Sequence, residues 1–324
     1  MPSDDLLRAA RLADERLRPH VRETPLHASS WLGRDRGTTV LLKLENLQVT
    51  GSFKFRGALN TILTLPEETR SRGVVTASTG NHGAAVAHAA SLVGVPAHVF
   101  VHDPAPAPKL ARILGAGATV SSVAGDPLNA EIEASAYARD HDLPYISPYN
   151  DAAVVAGQAT VGLEIARQCS VPPEAVFVPL GGGGLASGVA LGVKSTLPST
   201  RIVGCSPEHS PAMARAVEAG RILEVPSEPT LSDGTAGGIE PGSITFDLCR
   251  SLVDEFLLVS EEDIARGLRQ VILKEGLLVE GAAAVGAAAY QRVADRYDAS
   301  GSVVVILSGA NIARETLLEV LSGG

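Results

Sequence analysis

From about residue 73 the chain alternates short β-branched runs with longer alanine-rich runs, the pattern of strands feeding helices. It predicts strands over 74–77, 97–102 and 118–123, and helices over 80–93, 108–114 and 127–140. A short strand over 144–147 closes this first series. The rhythm restarts with a helix over 152–168, a strand over 175–179, a helix over 185–196, a strand over 201–205 and a helix over 211–219. An irregular stretch rich in Pro and Gly fills 225–243. Strand 255–259 then meets Ser260-Glu-Glu-Asp263, an N-cap with an acid three residues on, which opens a helix to about Lys274. A helix over 281–297 and a strand over 302–307 complete the pattern. Before residue 73 stand an amphipathic helix over about 3–18, strands at 24–27 and 39–45, and a helix over about 53–63.

This order implies an α/β fold of two doubly wound parallel-sheet domains. The larger is discontinuous, from residues 1–72 and 148–324, and a smaller α/β domain of residues 73–147 is inserted into it. The active site is expected in the interdomain cleft, where strand carboxyl ends deliver their loops.

Composition narrows the field. Of 324 residues, 45% are hydrophobic and 19% charged, which excludes a disordered chain. Aromatics are only 4%, which suits helices packed closely on parallel sheets. The net charge of −9 argues against nucleic acid as a partner. Cys169, Cys205 and Cys249 lie far apart, so neither a disulfide framework nor a zinc site is indicated, and a cytoplasmic setting is simplest. The N-terminus lacks the apolar core of a signal peptide. The apolar window 276–289 contains Glu280 and three glycines, too short and too polar to span a bilayer, so no membrane partner is expected.

Four segments carry chemistry. In GSFKFRG (51–57), Lys54 lies between two phenylalanines whose rings would lower the local dielectric and favour a neutral amine. An arbitrary lysine is more often a snorkelling surface residue. In STGNHG (78–83), hydroxyls and N–H groups at a helix start suit a carboxylate. A cap with turn glycines is the plainer reading there, and His82 alone reads as structural. Gly181 to Gly184 follow a strand and open a helix, so their amides should face an anion. That loop also fits G-x-G-x-x-A, with Glu208 placed like a ribose-binding acid, so a nicotinamide oxidoreductase competes. Ser308 in SGAN (308–311) is a plain N-cap or a neutral partner for a pyridine nitrogen. An amine, a phosphate nest and a ring-nitrogen partner are together what pyridoxal 5'-phosphate (PLP) requires.

In order and spacing, these segments resemble the fold type II PLP enzymes, in the branch of the serine/threonine dehydratases (ammonia-lyases) and serine racemases. AGQAT (156–160), LSDG (231–234) and EGA (280–282) extend the resemblance along the chain. Residues 204–238 are also similar to the hydroxyectoine-utilisation dehydratases. The resemblance implies a tryptophan-synthase-β-like fold and β-elimination of a β-hydroxy-α-amino acid such as L-threonine or L-serine. Lys54 would hold PLP as a Schiff base and act as the base at Cα. Phe53 would pack on the ring and Asn81 would meet its phenolic oxygen. Gly181, Gly182, Gly183, Gly184 and Leu185 would cradle the phosphate, Ser308 would face the ring nitrogen, and Gly234 and Glu280 would line the cleft with Asp233. Ser78, Thr79, Asn81 and His82 would receive the substrate carboxylate. A homodimer is also implied.

Serine racemases carry a serine where Thr79 stands, as a base on the opposite ring face. Racemisation or β-replacement is therefore the alternative within PLP chemistry. Ser206 and Ala212 occupy the places of the family's metal-binding acids, so no metal site is expected. No arginine lies near 126–129 to hold a second carboxylate, and no regulatory domain is expected beyond Gly324.

Overall fold

The β-branched runs form the strands of two sheets. In chain order these are β1 (Leu26–Ala28), β2 (Thr39–Lys43), β3 (Val74–Ala77), β4 (Ala97–Asp103), β5 (Thr119–Ala124), β6 (Ala175–Pro179), β7 (Arg201–Pro207), β8 (Glu255–Val259) and β9 (Ser302–Ile306). The computed structural model describes residues 4–125, 127–297 and 299–323. Asp126, which bears on the expectation for 126–129, lies outside the described residues, as does Ser3, the expected start of the N-terminal helix.

The larger sheet has the order β1-β2-β9-β6-β7-β8 and the smaller β3-β4-β5. Every pairing is parallel except β1 with β2, an antiparallel edge that the doubly wound expectation did not include. β6 and β9 lie inside the larger sheet and are apolar almost throughout, because helices cover both their faces.

The helices are α1 (Asp4–Leu17), α2 (Lys54–Thr64), α3 (Glu67–Ser71), α4 (Asn81–Leu92), α5 (Ala107–Gly115), α6 (Pro127–Asp140), α7 (Ala152–Gln168), α8 (Gly184–Lys194), α9 (Ala212–Ala219), α10 (Ile244–Leu252), α11 (Glu261–Glu275), α12 (Gly281–Val293) and α13 (Arg314–Ser322). Ser260 caps α11 as expected, its hydroxyl accepting from the Asp263 N–H at 3.2 Å. Two expectations need correction. Residues 144–147 form no strand: only Tyr145 bridges, to Val75, because Pro144 and Pro148 have no N–H to extend a ladder. The helix expected over 281–297 ends at Val293 and tightens into a 3-10 turn over Ala294–Arg296.

Helices α2, α7 and α8 are stacked through small residues. A Cβ on Gly157 of α7 would stand 2.7 Å from the Gly57 Cα and the Arg56 carbonyl of α2. Lost side-chain contact is replaced there by backbone packed on backbone, which holds α2 tightly.

A buried ionic network fixes α2 from its other side. The Arg56 guanidinium donates to both oxygens of Glu45 at 2.8 Å, and to both oxygens of Glu164 at 2.6 and 2.9 Å. Lys43 Nζ donates to Glu164 at 2.5 Å and to the Thr24 carbonyl at 2.8 Å. Two cations thus face two anions, and most of their hydrogen-bonding capacity is used, the condition under which charges tolerate burial.

Candidate active site

Lys54 is the first residue of α2, and the loop after β9 sets its position. Phe53 donates its N–H to the Ser308 carbonyl at 3.1 Å, and Ala310 donates to the Gly51 carbonyl at 2.9 Å. Residues 51–53 and 308–310 therefore run antiparallel, with Ser52 and Gly309 as the bridging pair. Gly51 has φ +73°, and a Cβ there would meet the Asn311 side chain at 2.9 Å, so the turn demands glycine. The bridge sets the segments of Lys54 and Ser308, 254 positions apart in sequence, side by side. Ser308 is only 2% exposed, and Ser52 Oγ is buried without a hydrogen-bond partner.

Lys54 Nζ donates to the Pro148 carbonyl at 2.8 Å and lies 5.3 Å from the centre of the Phe53 ring. Burial pulls its ammonium down to about 8, against the pull of the Glu280 carboxylate. The expected enclosure by two rings is corrected to one. Phe55 is turned roughly 100° further round the helix. It packs edge-on against His88 of α4, with ring centres 5.4 Å apart.

After β6 the chain turns through Gly181 to Gly183 into α8. Gly183 has φ +88°, and a Cβ on Gly182 would fall 2.6 Å from the Tyr149 ring. Among the described residues, the N–H groups of Gly181 to Leu185 have no acceptor in the chain. Converging free amides at the start of an eleven-residue helix suit a phosphate.

The loop from β3 into α4 faces the same cleft. Ser78 Oγ accepts from the Gly80 N–H at 3.1 Å, and the amides of Thr79, Asn81 and His82 have no acceptor among the described residues. The His82 ring is committed elsewhere, with Nε2 2.9 Å from the Ile146 carbonyl. A carbonyl only accepts, so Nε2 carries the proton. Burial and the Lys54 charge hold His82 down to about 3, hence neutral. Only its backbone N–H remains for an anion.

Asn81 turns its side chain to the opposite wall, where one of its two N–H groups is shared by the Glu280 oxygens. Its Nδ2 donates to the Glu280 carboxylate at 2.7 and 3.0 Å, and its Oδ1 accepts from Asn311 Nδ2 at 2.6 Å. Burial pushes the Glu280 carboxyl up to about 7, although the Asn81 hydrogen bond opposes the shift. Gly234 adjoins Glu280: a Cβ there would lie 3.8 Å from the carboxylate. Asp233 beside it is exposed and pairs with Lys109 of α5 at 3.2 Å.

Sequence reasoning missed Asn311, Tyr149, the Pro148 carbonyl and the Arg56 network. The SGAN segment contained Asn311, but nothing local marks its partners. Glu208, the acid of the nicotinamide reading, is partly exposed and pairs with Arg292 at 3.2 Å. The glycine loop, the amine and the buried hydroxyl fit PLP instead.

Comparison with known proteins agrees. The family described as "Pyridoxal-phosphate dependent enzyme" matches residues 17–309. A putative threonine dehydratase of Sinorhizobium fredii is 44% identical over 96% of this chain and 93% of its own length. An L-threonine ammonia-lyase of Geobacter sulfurreducens is 40% identical over 96% of this chain and 77% of its own length. The structure of maize serine racemase superposes with a TM-score of 0.90 at 33% identity, covering 97% of this chain and 95% of that one.

Proposed function

The chain belongs to the pyridoxal-phosphate-dependent enzymes, and from that premise we propose that it is an ammonia-lyase that converts L-threonine or L-serine to a 2-oxo acid and ammonia. Its cofactor is PLP, which when bound supplies an electron sink for the amino acid's α-carbon. One observation carries the reading: the Lys54 amine, drawn down to about 8, donates to the Pro148 carbonyl, next to Tyr149, on which the glycine loop packs.

In this reading Lys54 Nζ leaves the Pro148 carbonyl to hold the cofactor, and later takes the proton from Cα. The amides of Gly181, Gly182, Gly183, Gly184 and Leu185 hold the phosphate. Phe53 would pack on the ring, Asn81 would meet the phenolic oxygen, and Gly234 and Glu280 would line the edge. Ser308 offers the ring nitrogen a neutral hydroxyl. A hydroxyl there, unlike a carboxylate, would not keep that nitrogen protonated, and this would favour prompt loss of a β-leaving group. The substrate carboxylate is received by the amides and hydroxyls of Ser78 and Thr79 and by the N–H groups of Asn81 and His82.

The test is a panel of β-hydroxy amino acids scored for ammonia and 2-oxo acid, beside borohydride trapping of the cofactor. Reduction should mark Lys54 alone, and Lys54→Ala should release no 2-oxo acid. A wild-type protein that yields none from any member overturns the reading. Thr79, whose hydroxyl stands where racemases carry serine, supports a second one, for which D-amino acid forming without 2-oxo acid is the signature. A cytoplasmic homodimer completes the proposal. Leu47 and Leu278, 41% and 49% exposed, lie on segments joined by the bond from Asn46 to the Leu278 carbonyl, and sedimentation of Leu47→Glu tests them as its contact.

A further inference from the structure

Asn311 sits where three parts of the site meet. Its Nδ2 donates to the Thr50 carbonyl at 3.0 Å and to Asn81 Oδ1 at 2.6 Å, and its backbone N–H donates to Glu280 Oε2 at 3.1 Å. These bonds have a fixed direction. A backbone carbonyl can only accept, so the face Asn311 turns to Thr50 must be its NH2. The same NH2 reaches Asn81, which must answer with its oxygen. Asn81 then has only its NH2 for the Glu280 carboxylate, where it lies at 2.7 and 3.0 Å. Glu280 already takes a bond from the Asn311 amide and can answer only as an acceptor. The side-chain amide orientations, ordinarily a matter of assignment, are here dictated from Thr50 outward.

The chain of donors also crosses the fold. Thr50 belongs to the lysine loop, Asn81 opens α4 beside the smaller sheet, and Glu280 caps α12 against the larger one. Gly51 leaves the space this side chain occupies, since a Cβ there would stand 2.9 Å from Asn311 Oδ1. Burial of Glu280, 5% exposed, makes each of these bonds more costly to lose than at the surface.

We infer that Asn311 is a positioning residue for PLP: it fixes the Asn81 amide so that an N–H, and not the carbonyl oxygen, is presented to the phenolic oxygen of the cofactor. The inference rests on the reading that Asn81 faces that oxygen. A carbonyl turned to it would repel, whereas an N–H supports its anionic form.

The test uses the full chain, freed of cofactor and titrated with PLP. Affinity and the pH dependence of the bound cofactor's absorption band are read for wild type, Asn311→Ala, Asn81→Ala and the double variant. Thermal unfolding of each cofactor-free protein checks that it folds. Asn311→Ala should bind PLP about tenfold more weakly, as loss of one buried hydrogen-bonded orientation predicts, and should shift the band's pH midpoint. In the Asn81→Ala background the same substitution should change neither, because the two act as one unit. Wild-type affinity and midpoint in Asn311→Ala overturn the inference, as does an undiminished effect in the Asn81→Ala background, which would mark Asn311 as structural only. If Asn81→Ala itself leaves both readouts unchanged, the reading of Asn81 fails and takes this one with it. Asn311→Asp, equal in size but without the donor, replaces the alanine variant should that one not fold, with the same outcomes expected.

Discussion

Arg56 and Glu164 are joined by two hydrogen bonds of 2.6 and 2.9 Å, with the guanidinium wholly buried and the carboxylate 3% exposed. Arg56 lies two residues after Lys54, so this pair and its Glu45 counterpart anchor the helix that opens on that amine. Removing one member of such a set leaves a buried charge uncompensated. Arg56→Met should therefore cost about 3–5 kcal/mol, read from urea unfolding of the cofactor-free protein. Arg56→Lys should recover little of it, because an ammonium cannot make two forked contacts. A change near zero in Arg56→Met would show that the network is dispensable.

Cofactor capture should depend on pH through Lys54. Its ammonium titrates near 8, and only the neutral amine attacks an aldehyde. The rate of recombination with PLP should rise about tenfold per pH unit below that point and level off above it. Stopped-flow absorbance would reveal it, and a rate still climbing through the ordinary lysine range would place the amine in water.

Glu280 should impose an acid limb on activity. Its carboxyl, raised to about 7 by burial, can accept from Asn81 and from the Asn311 N–H through both oxygens at once only while ionised. Protonation below that value puts a hydrogen where an acceptor is needed. kcat/KM should fall as pH drops through about 7, and Glu280→Gln should be low and flat across that interval. Retention of the limb in Glu280→Gln would assign it to another group.

Gly157→Ala should destabilise the fold by about 1–3 kcal/mol, the usual cost of overpacking. The atoms nearest its methyl would be the Arg56 carbonyl and the Gly57 Cα, both backbone and both on α2. PLP affinity should fall with stability, because the shifted helix is the one carrying Lys54. A lowered melting temperature with unchanged affinity would separate the two effects.

The ion pair between Lys109 and Asp233 should matter much less. Asp233 is 64% exposed, and solvent screens the attraction. Lys109→Ala should change stability by less than about 1 kcal/mol, and added salt should erase even that in a thermal melt. A larger loss would mean that α5 is held by this contact.

What could be read from the sequence was what is local. The glycines at 51 and 181–184, the cap at Ser260 and the β-branched runs act within a few residues, so pattern alone located the turn before Lys54, the glycine turn into α8 and most strands. The ionic network escaped because its members, at 43, 45, 56 and 164, share no spacing; folding alone makes them neighbours. Asn311 escaped for the same reason. Phe55 was placed beside the amine by adjacency in sequence, whereas a helix sends consecutive side chains in different directions. The run at 144–147 has strand-like composition, but its flanking prolines leave Tyr145 a single bridge.

The placement of β9 between β2 and β6 has a consequence for synthesis. A ribosome releases β2 and β6 long before residue 306 emerges, and until then the two strands lack the one that joins them. The segments of Lys54 and Ser308 pair only after that late insertion. A nascent chain therefore cannot assemble the pocket proposed for the vitamin until residue 308 has emerged.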